Sequence, residues 1–290
     1  MKKLVSQKQT RCVSSVEATK RKEIKMRSAV KKVIFTFSLF GSIAAQAISV
    51  GKVDFEKKSI TGIEVELASS KSNNVSVCGA HVGGLWSLTR NNVAGIQVGG
   101  LAALTEECSG IQAGGCMVLA KDISGVQIGG YGCAAGGMSG VQIGGLVSFC
   151  TDEVNGVQIG GFGPCCTNEV NGVQIGGFGS VCFNEMNGVQ IGGVLNYVLE
   201  KIRGVQITGL HSVALDMKGV QITGGLSAAS VLSGLQIGAV NYIEKDFSGV
   251  QIGVFNYAGE ESDKCLQIGV VNWVSANETM KIVPFVNMNF

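Results

Sequence analysis

The sequence predicts an all-β repeat protein, a β-solenoid of about 12–15 coils with about 15–16 residues in each coil. Three observations predict this fold. A glutamine in the motif G-V-Q-I-G-G recurs at spacings of 15 or 16 residues, and the residues around it alternate apolar, polar, apolar. The turn that precedes each motif recurs in successive copies without odd–even alternation.

The marker glutamine defines twelve clear copies of the repeat. Degenerate copies at Glu64 and His81 extend the series upstream, and Ile282 extends it downstream. One copy buries two or three apolar side chains, too few to offset the conformational entropy of its backbone, so the copies must stack on one another. The marker residues are Gln97, Gln112, Gln127, Gln142, Gln158, Gln174, Gln190, Gln206, Gln221, Gln236, Gln251 and Gln267.

The residues beside the marker predict a strand with one buried face. Val126, Gln127 and Ile128 show the alternation, which is the period-2 signature of a strand. We expect the Val and Ile columns to face the core, with the Gln and Gly columns on the outer face. Stacked coils would then form an outer glutamine ladder, a flat surface suited to a repetitive ligand. The residues that we assign to this structural ladder are Gln127, Gln142, Gln158, Gln174, Gln190 and Gln206.

A glycine lies two residues before the marker in eleven of the twelve clear copies, with Cys265 as the exception. A glycine held at one position of a repeat indicates a positive φ angle, here at a corner of the coil. Asn or Ser precedes this glycine in most copies, as at Ser124 and Asn155, and both are turn residues.

An antiparallel outer-membrane β-barrel, with a pore or anchoring role, is the alternative fold. Repeats in a barrel would turn at opposite rims, so odd and even copies should differ, and here they do not. The alternating apolar residues from Ile282 to Phe290 suit the last strand of a barrel, but they also suit a capping strand of a solenoid.

The N-terminal residues 1–47 are predicted to be a leader. Lys31 and Lys32 precede the short apolar run from Val33 to Ala44, and an A-x-A cleavage pattern ends at Ala47. We interpret residues 26–47 as a signal peptide and residues 1–25 as an upstream extension. Residues 48–290 then form a single β-repeat domain, with degenerate caps near 48–90 and 280–290.

The last three repeats carry a resemblance to a known family. The units GLQIGAVNY (234–242), GVQIGVFNY (249–257) and CLQIGVVNW (265–273) are followed by VPFVNMNF. They resemble the bacterial surface-repeat proteins with tandem G-L-Q-I-G-L-I-N units, found in spirochaetes and other diderm bacteria. The resemblance covers about residues 62–290 and implies an exported, surface-associated protein. It supplies no catalytic residues.

No catalytic or cofactor-binding site is predicted. The two histidines, His81 and His211, lie far apart in the repeat series, so they do not form a catalytic or metal-binding pair. An acidic column in the turns offers a weak candidate site for Ca²⁺, since stacked carboxylates repel unless a cation lies between them. A cysteine column offers a candidate disulfide, because coil spacing lies within the Cα range of a disulfide. These columns are Glu153, Glu169 and Glu185, and Cys150, Cys166 and Cys182.

The sequence therefore predicts an exported structural or adhesive protein, not an enzyme. Its partner would be a protein or a glycan at the cell surface, and the net charge of +2 gives no reason to expect nucleic acid. We expect it at the cell surface, in the outer membrane or in the periplasm of a diderm bacterium. Nothing in the sequence indicates the oligomeric state.

Overall fold

A computed structural model describes residues 47–54, 59–66, 69–72, 76–278 and 280–289. These residues form strands and turns, with no helix among them. In this part of the chain, no helix is long and apolar enough to cross a membrane. The predicted leader lies outside the described residues except for Ala47.

Most coils contain a long strand and a short strand. In some coils the short strand continues through a corner into the next long strand, and the two form a single strand. The first eleven strands are β1 (Ala47–Asp54), β2 (Ser59–Glu66), β3 (Ser69–Ser72), β4 (Ser76–Gly83), β5 (Trp86–Thr89), β6 (Asn92–Gly99), β7 (Ala102–Gly114), β8 (Met117–Gly129), β9 (Gly132–Ala135), β10 (Gly137–Gly144) and β11 (Val147–Cys150). The others are β12 (Val154–Gly160), β13 (Gly163–Cys166), β14 (Val170–Gly176), β15 (Gly179–Cys182), β16 (Glu185–Gly192), β17 (Leu195–Thr208), β18 (His211–Thr223), β19 (Leu226–Ile237), β20 (Val240–Ala258), β21 (Glu261–Val274) and β22 (Ile282–Asn289).

Successive repeats pair in parallel and in register. Gln142 in β10 lies opposite Gln127 on one side and Gln158 on the other, so identical positions stack along the axis. The predicted β-solenoid is confirmed, with about 13 turns. The antiparallel barrel alternative is wrong, because a meander would pair neighbouring repeats antiparallel.

Antiparallel strands close both ends of the parallel stack. At the N-terminal end β1 pairs antiparallel with β2, and at the C-terminal end β22 pairs antiparallel with β21. The degenerate copies at Glu64 and His81 keep the regular register, because Glu64 pairs with His81 and His81 with Gln97. The backbone is therefore more regular than the sequence at this end.

The glycine two residues before each marker adopts the predicted positive φ, from 125° to 144° between Gly62 and Gly249. Its second role is to permit close approach. A Cβ on Gly156 would lie 2.1 Å from the carbonyl oxygen of Gly140, the same position one coil earlier. Cys265 has no positive φ at this position, which explains how the last coil accommodates a side chain there.

The interior of each coil has an apolar half and a polar half. In the apolar half, large side chains four residues before the marker pack against smaller ones from the short strand. Met138 and Cys150, both buried, form such a layer in the coil of Gln142. The polar half contains the marker glutamine and the residue that faces it from the short strand, such as Ser148.

The corner glycines generate a first prediction. Gly156→Ala should lower the free energy of unfolding by at least about 2 kcal/mol, because the methyl group adds backbone strain and meets the Gly140 carbonyl. Urea unfolding followed by circular dichroism measures the effect. Gly137→Ala is the control, because its methyl group would meet only the movable side chain of Asp122. Equal losses for the two variants would contradict this role.

Candidate functional site

The marker glutamines form a ladder that lies inside the solenoid. All twelve side chains from Gln97 to Gln267 are fully buried, and Gly99 is buried beside them. The Val and Ile residues on either side of each glutamine point outward instead. The expected alternation is present, but the assignment of its faces was wrong. The outer ligand-binding Gln/Gly surface predicted from the sequence therefore does not exist.

Hydrogen bonds explain why the glutamines turn inward. From Gln112 onward, the Nε2 atom of each glutamine donates to the Oε1 atom of the glutamine one coil earlier, as from Gln158 to Gln142 at 2.8 Å and from Gln174 to Gln158 at 2.9 Å. Several also donate to a carbonyl oxygen of the short strand, as Gln112 does to Leu119 at 3.1 Å. A buried amide costs little free energy when its donors and acceptors are paired, and stacking pairs them.

A second internal ladder begins at Asn241, where successive short strands carry asparagine at the position of Ser227. The Nδ2 atom of Asn241 donates to Oδ1 of Asn256, and Asn256 donates to Oδ1 of Asn272, both at 2.7 Å. These side chains are fully buried and face the glutamine ladder. The asparagines after the late strands are therefore structural residues of the C-terminal coils.

At the N-terminal end, His81 and Glu64 continue the glutamine ladder. The Nδ1 atom of His81 lies 2.9 Å from Oγ1 of Thr89 and 3.1 Å from Oγ of Ser87, while Nε2 lies 3.6 Å from Oε2 of Glu64. Burial lowers the pKa of His81 to about 4 and raises the pKa of Glu64. His81 is thus a neutral structural member of the ladder, whereas His211 is exposed.

The acidic column makes contacts other than the predicted cation contacts. Oε1 of Glu169 accepts a hydrogen bond from Nδ2 of Asn187 at 3.1 Å. Glu185 lies 3.4 Å from Arg203 and 3.9 Å from Lys201, and Glu153 is exposed. Among the described residues, no group of three or more His, Cys, Asp or Glu side chains is placed to hold a metal ion.

The cysteine column lies in register in the apolar half of the core. Cys150 pairs with Cys166, and Cys166 pairs with Cys182, and all three are buried as free thiols. The Sγ atom of Cys182 donates to the turn carbonyls of Glu185 and Asn168 at 3.3 and 3.4 Å. Burial raises the pKa of Cys182 to about 12, which suppresses the thiolate that disulfide exchange requires.

The outer surface of the long strands is a flat apolar face. We call it the Val/Ile face, formed by the residues directly before and after each marker from Ile96 to Ile268. None of these side chains is buried, and Ile128 and Ile207 are 41% and 38% exposed. Because the strands are parallel and in register, the face consists of two continuous columns of apolar side chains, all of them branched except Ala113. It contains no charged side chain and no side-chain hydrogen-bonding group.

A row of exposed apolar residues runs along one border of the Val/Ile face. We call it the ridge; its members lie in the turn four residues after each marker. Phe162 is 61% exposed, and its ring stacks on that of Phe178 with centroids 4.9 Å apart. Where the turn is one residue shorter, Val254 and Val270 continue the ridge and are about as exposed. Its other exposed members are Leu85, Leu101, Cys116, Tyr131, Leu146 and Leu210.

In the twelve clear copies of the repeat, charge is confined to one edge of the coil. Within the twelve clear copies, no Asp, Glu, Lys or Arg lies between two residues before a marker and seven residues after it. All such residues from 90 to 264 lie three to seven residues before a marker, in the turn and the start of the long strand, as Glu153 and Lys218 do. The Val/Ile face and the short strands are therefore uncharged in the twelve clear copies.

An aromatic column on the short strands does not offer free ring faces. The rings of Tyr242 and Tyr257 stack with centroids 4.9 Å apart, and Trp273 meets Tyr257 edge-on at 5.5 Å. Stacked neighbours cover each other's ring faces, so the rings present mainly their edges outward. This arrangement does not favour stacking of sugar rings on the aromatic column.

Comparisons with family models, curated proteins and solved structures gave no match for this chain.

The glutamine ladder generates a second prediction. Gln174→Met should lower the free energy of unfolding by about 2–5 kcal/mol, because it removes the partners of both Gln158 Oε1 and Gln190 Nε2. Gln267→Met is the matched control at the end of the ladder. The Oε1 atom of Gln267 has no hydrogen-bond partner, so this variant removes a donor from Gln251 Oε1 and from the carbonyl oxygen of Trp273 but leaves no buried N–H group unpaired, and it should cost less. Urea unfolding of both variants measures the difference, and equal costs would argue against a cooperative ladder.

His81 generates a prediction about pH. Its pKa is lower in the folded chain than in the unfolded chain. The contribution of neutral His81 to the free energy of unfolding is therefore complete above pH 6.5 and is lost as the pH falls toward 4. The raised pKa of Glu64 acts in the opposite direction. His81→Gln should reduce the loss between pH 7 and pH 4 by up to about 3 kcal/mol. His211→Gln, at an exposed position, should leave the loss unchanged. Urea titrations at several pH values compare the two variants.

Proposed function

We propose that this protein is an exported structural or adhesive protein of the cell envelope, which binds a partner along its repetitive outer surface. The observation that carries the proposal is the uncharged apolar surface formed by the Val/Ile face and the ridge. Exposed apolar patches of more than a few hundred Å² are rare on monomeric soluble proteins and mark interaction sites.

The structure changes which surface we assign to the partner. The sequence favoured a polar Gln/Gly face, whereas the outward residues are Val, Ile, Leu and Phe. An apolar face suits a protein or lipid surface better than a glycan, whose hydroxyl groups require hydrogen-bonding side chains. The resemblance of the last three repeats to surface-repeat proteins and the predicted leader support the location.

Fractionation of cells that express the full chain tests the location. We expect the protein in the envelope fraction and accessible to protease added to intact cells. Deletion of residues 33–44, the apolar run of the predicted signal peptide, should retain the chain in the cytoplasm. A full chain found in the cytoplasm and protected from protease would contradict the proposal.

Ridge variants in the same cells test whether the apolar surface engages a partner. Phe162→Ser combined with Phe178→Ser should release the protein from the envelope fraction at a lower salt or detergent concentration. Leu215→Ser is the control, because Leu215 is 50% exposed within β18, six residues before its marker and away from the ridge. Unchanged retention of the ridge variant would show that this surface makes no contact in the envelope.

A further inference from the structure

The Val/Ile face has the chemistry of a sheet surface that is covered by another sheet. Parallel sheets are normally covered on both faces, and their strands carry apolar residues on both sides. Here the inner side is filled by the coil, while on the outer side Val141 and Ile143 remain partly exposed. The outer side of the sheet has no cover within the described part of the chain.

The dimensions of this face match those of a stable interface. Twelve strands at about 4.8 Å spacing extend over about 50 Å, and four residues of strand add a width of about 13 Å. The face therefore covers about 650 Å², and a standard interface buries about 800 Å² on each partner. The ridge, which borders the face, adds exposed apolar area to this contact.

The face also limits the kind of partner that fits it. It offers no side chain that could select a partner by charge or hydrogen bond, so recognition depends on shape and apolar contact. A matching surface must be flat overall and uncharged. Its rows of side chains must repeat at the same spacing as the coils. The same face of a second copy has these properties, and a two-fold axis makes such a contact self-complementary.

We infer that the Val/Ile face is a dimerisation surface, at which two solenoids of this chain pack sheet against sheet. The two sheets would lie about 10 Å apart, the usual distance between packed sheets. The charged edge of each coil, which contains Glu153 and Glu169, would remain at the rim in contact with water. This inference deepens the proposed function, because it names a second copy as one partner of the apolar surface.

Sedimentation velocity of the full chain between about 0.5 and 50 µM tests the inference. We expect a reversible dimer. The variant Ile143→Thr, Ile159→Thr and Ile175→Thr alters three adjacent outward positions and keeps the β-branched shape of each side chain. Its dissociation constant should rise at least tenfold, since each dimer loses six apolar contacts. Circular dichroism and the urea midpoint verify that the variant is folded.

The control variant is Val147→Thr, Val181→Thr and Val213→Thr, which makes the same type of change at outward positions of the short strands. Its dissociation constant should stay within twofold of the unmodified protein. A monomer at all concentrations would overturn the inference, and so would an oligomer that the Ile variant does not weaken. A monomer that floats with vesicles of phosphatidylethanolamine and phosphatidylglycerol, and loses flotation in the Ile variant, would assign the face to lipid instead.

The two proposals fail in distinguishable ways. Protease accessibility on intact cells reports the location of the protein and does not depend on its oligomeric state. A surface-exposed monomer would contradict only the dimer, whereas a cytoplasmic dimer would contradict only the proposed function.

Discussion

The hydrogen bond between one glutamine amide and the next is the interaction on which the rest of the structure depends. An amide enclosed in a coil must find a donor and an acceptor, and along the stack these come from the same residue one coil away. This requirement fixes the parallel direction and the register of the strands. It also explains how repeats of 15 and 16 residues coexist, because the extra residue is accommodated in a turn while the ladder positions remain aligned.

The surface of the protein follows from the same constraint. Neighbouring residues of a strand point to opposite sides, so a glutamine that points inward directs the residues before and after it outward. Val157 and Ile159 are therefore partly exposed because Gln158 is buried between them. The solenoid has a partly polar interior and an apolar exterior on this side, and the charged residues of the twelve clear copies lie at a single edge. The solubility of the protein and its association with partners both depend on whether this apolar side is exposed to water or covered.

The sequence predicted the architecture well because the repeat period, the turn chemistry and the glycine at the corner are local properties. Alternation shows that a strand has two faces, but it does not identify the inner one, and here the usual preference for buried valine failed. One signal was present: the marker is glutamine in all twelve clear copies, whereas the residue before it is Val, Ile or Leu. An exposed column would tolerate Lys or Glu, and this one does not. The partners of Glu169 and Glu185 could not be predicted, because Asn187 and Arg203 lie one coil further along and two positions away from the acidic column.

The free Oε1 atom of Gln267 shows that the ladder itself does not determine the length of the solenoid. Chemically, this end could accept one more glutamine donor, and the stack ends there because β22 runs antiparallel across it. Each coil contacts mainly its two neighbours. If a whole coil is duplicated or deleted, the remaining coils therefore still make the same type of ladder contact with one another. A gene of this type can therefore vary the size of its product in steps of about 5 Å without redesigning a core. Unequal recombination between near-identical repeats would supply such variants, with the closing strands preserved at both ends.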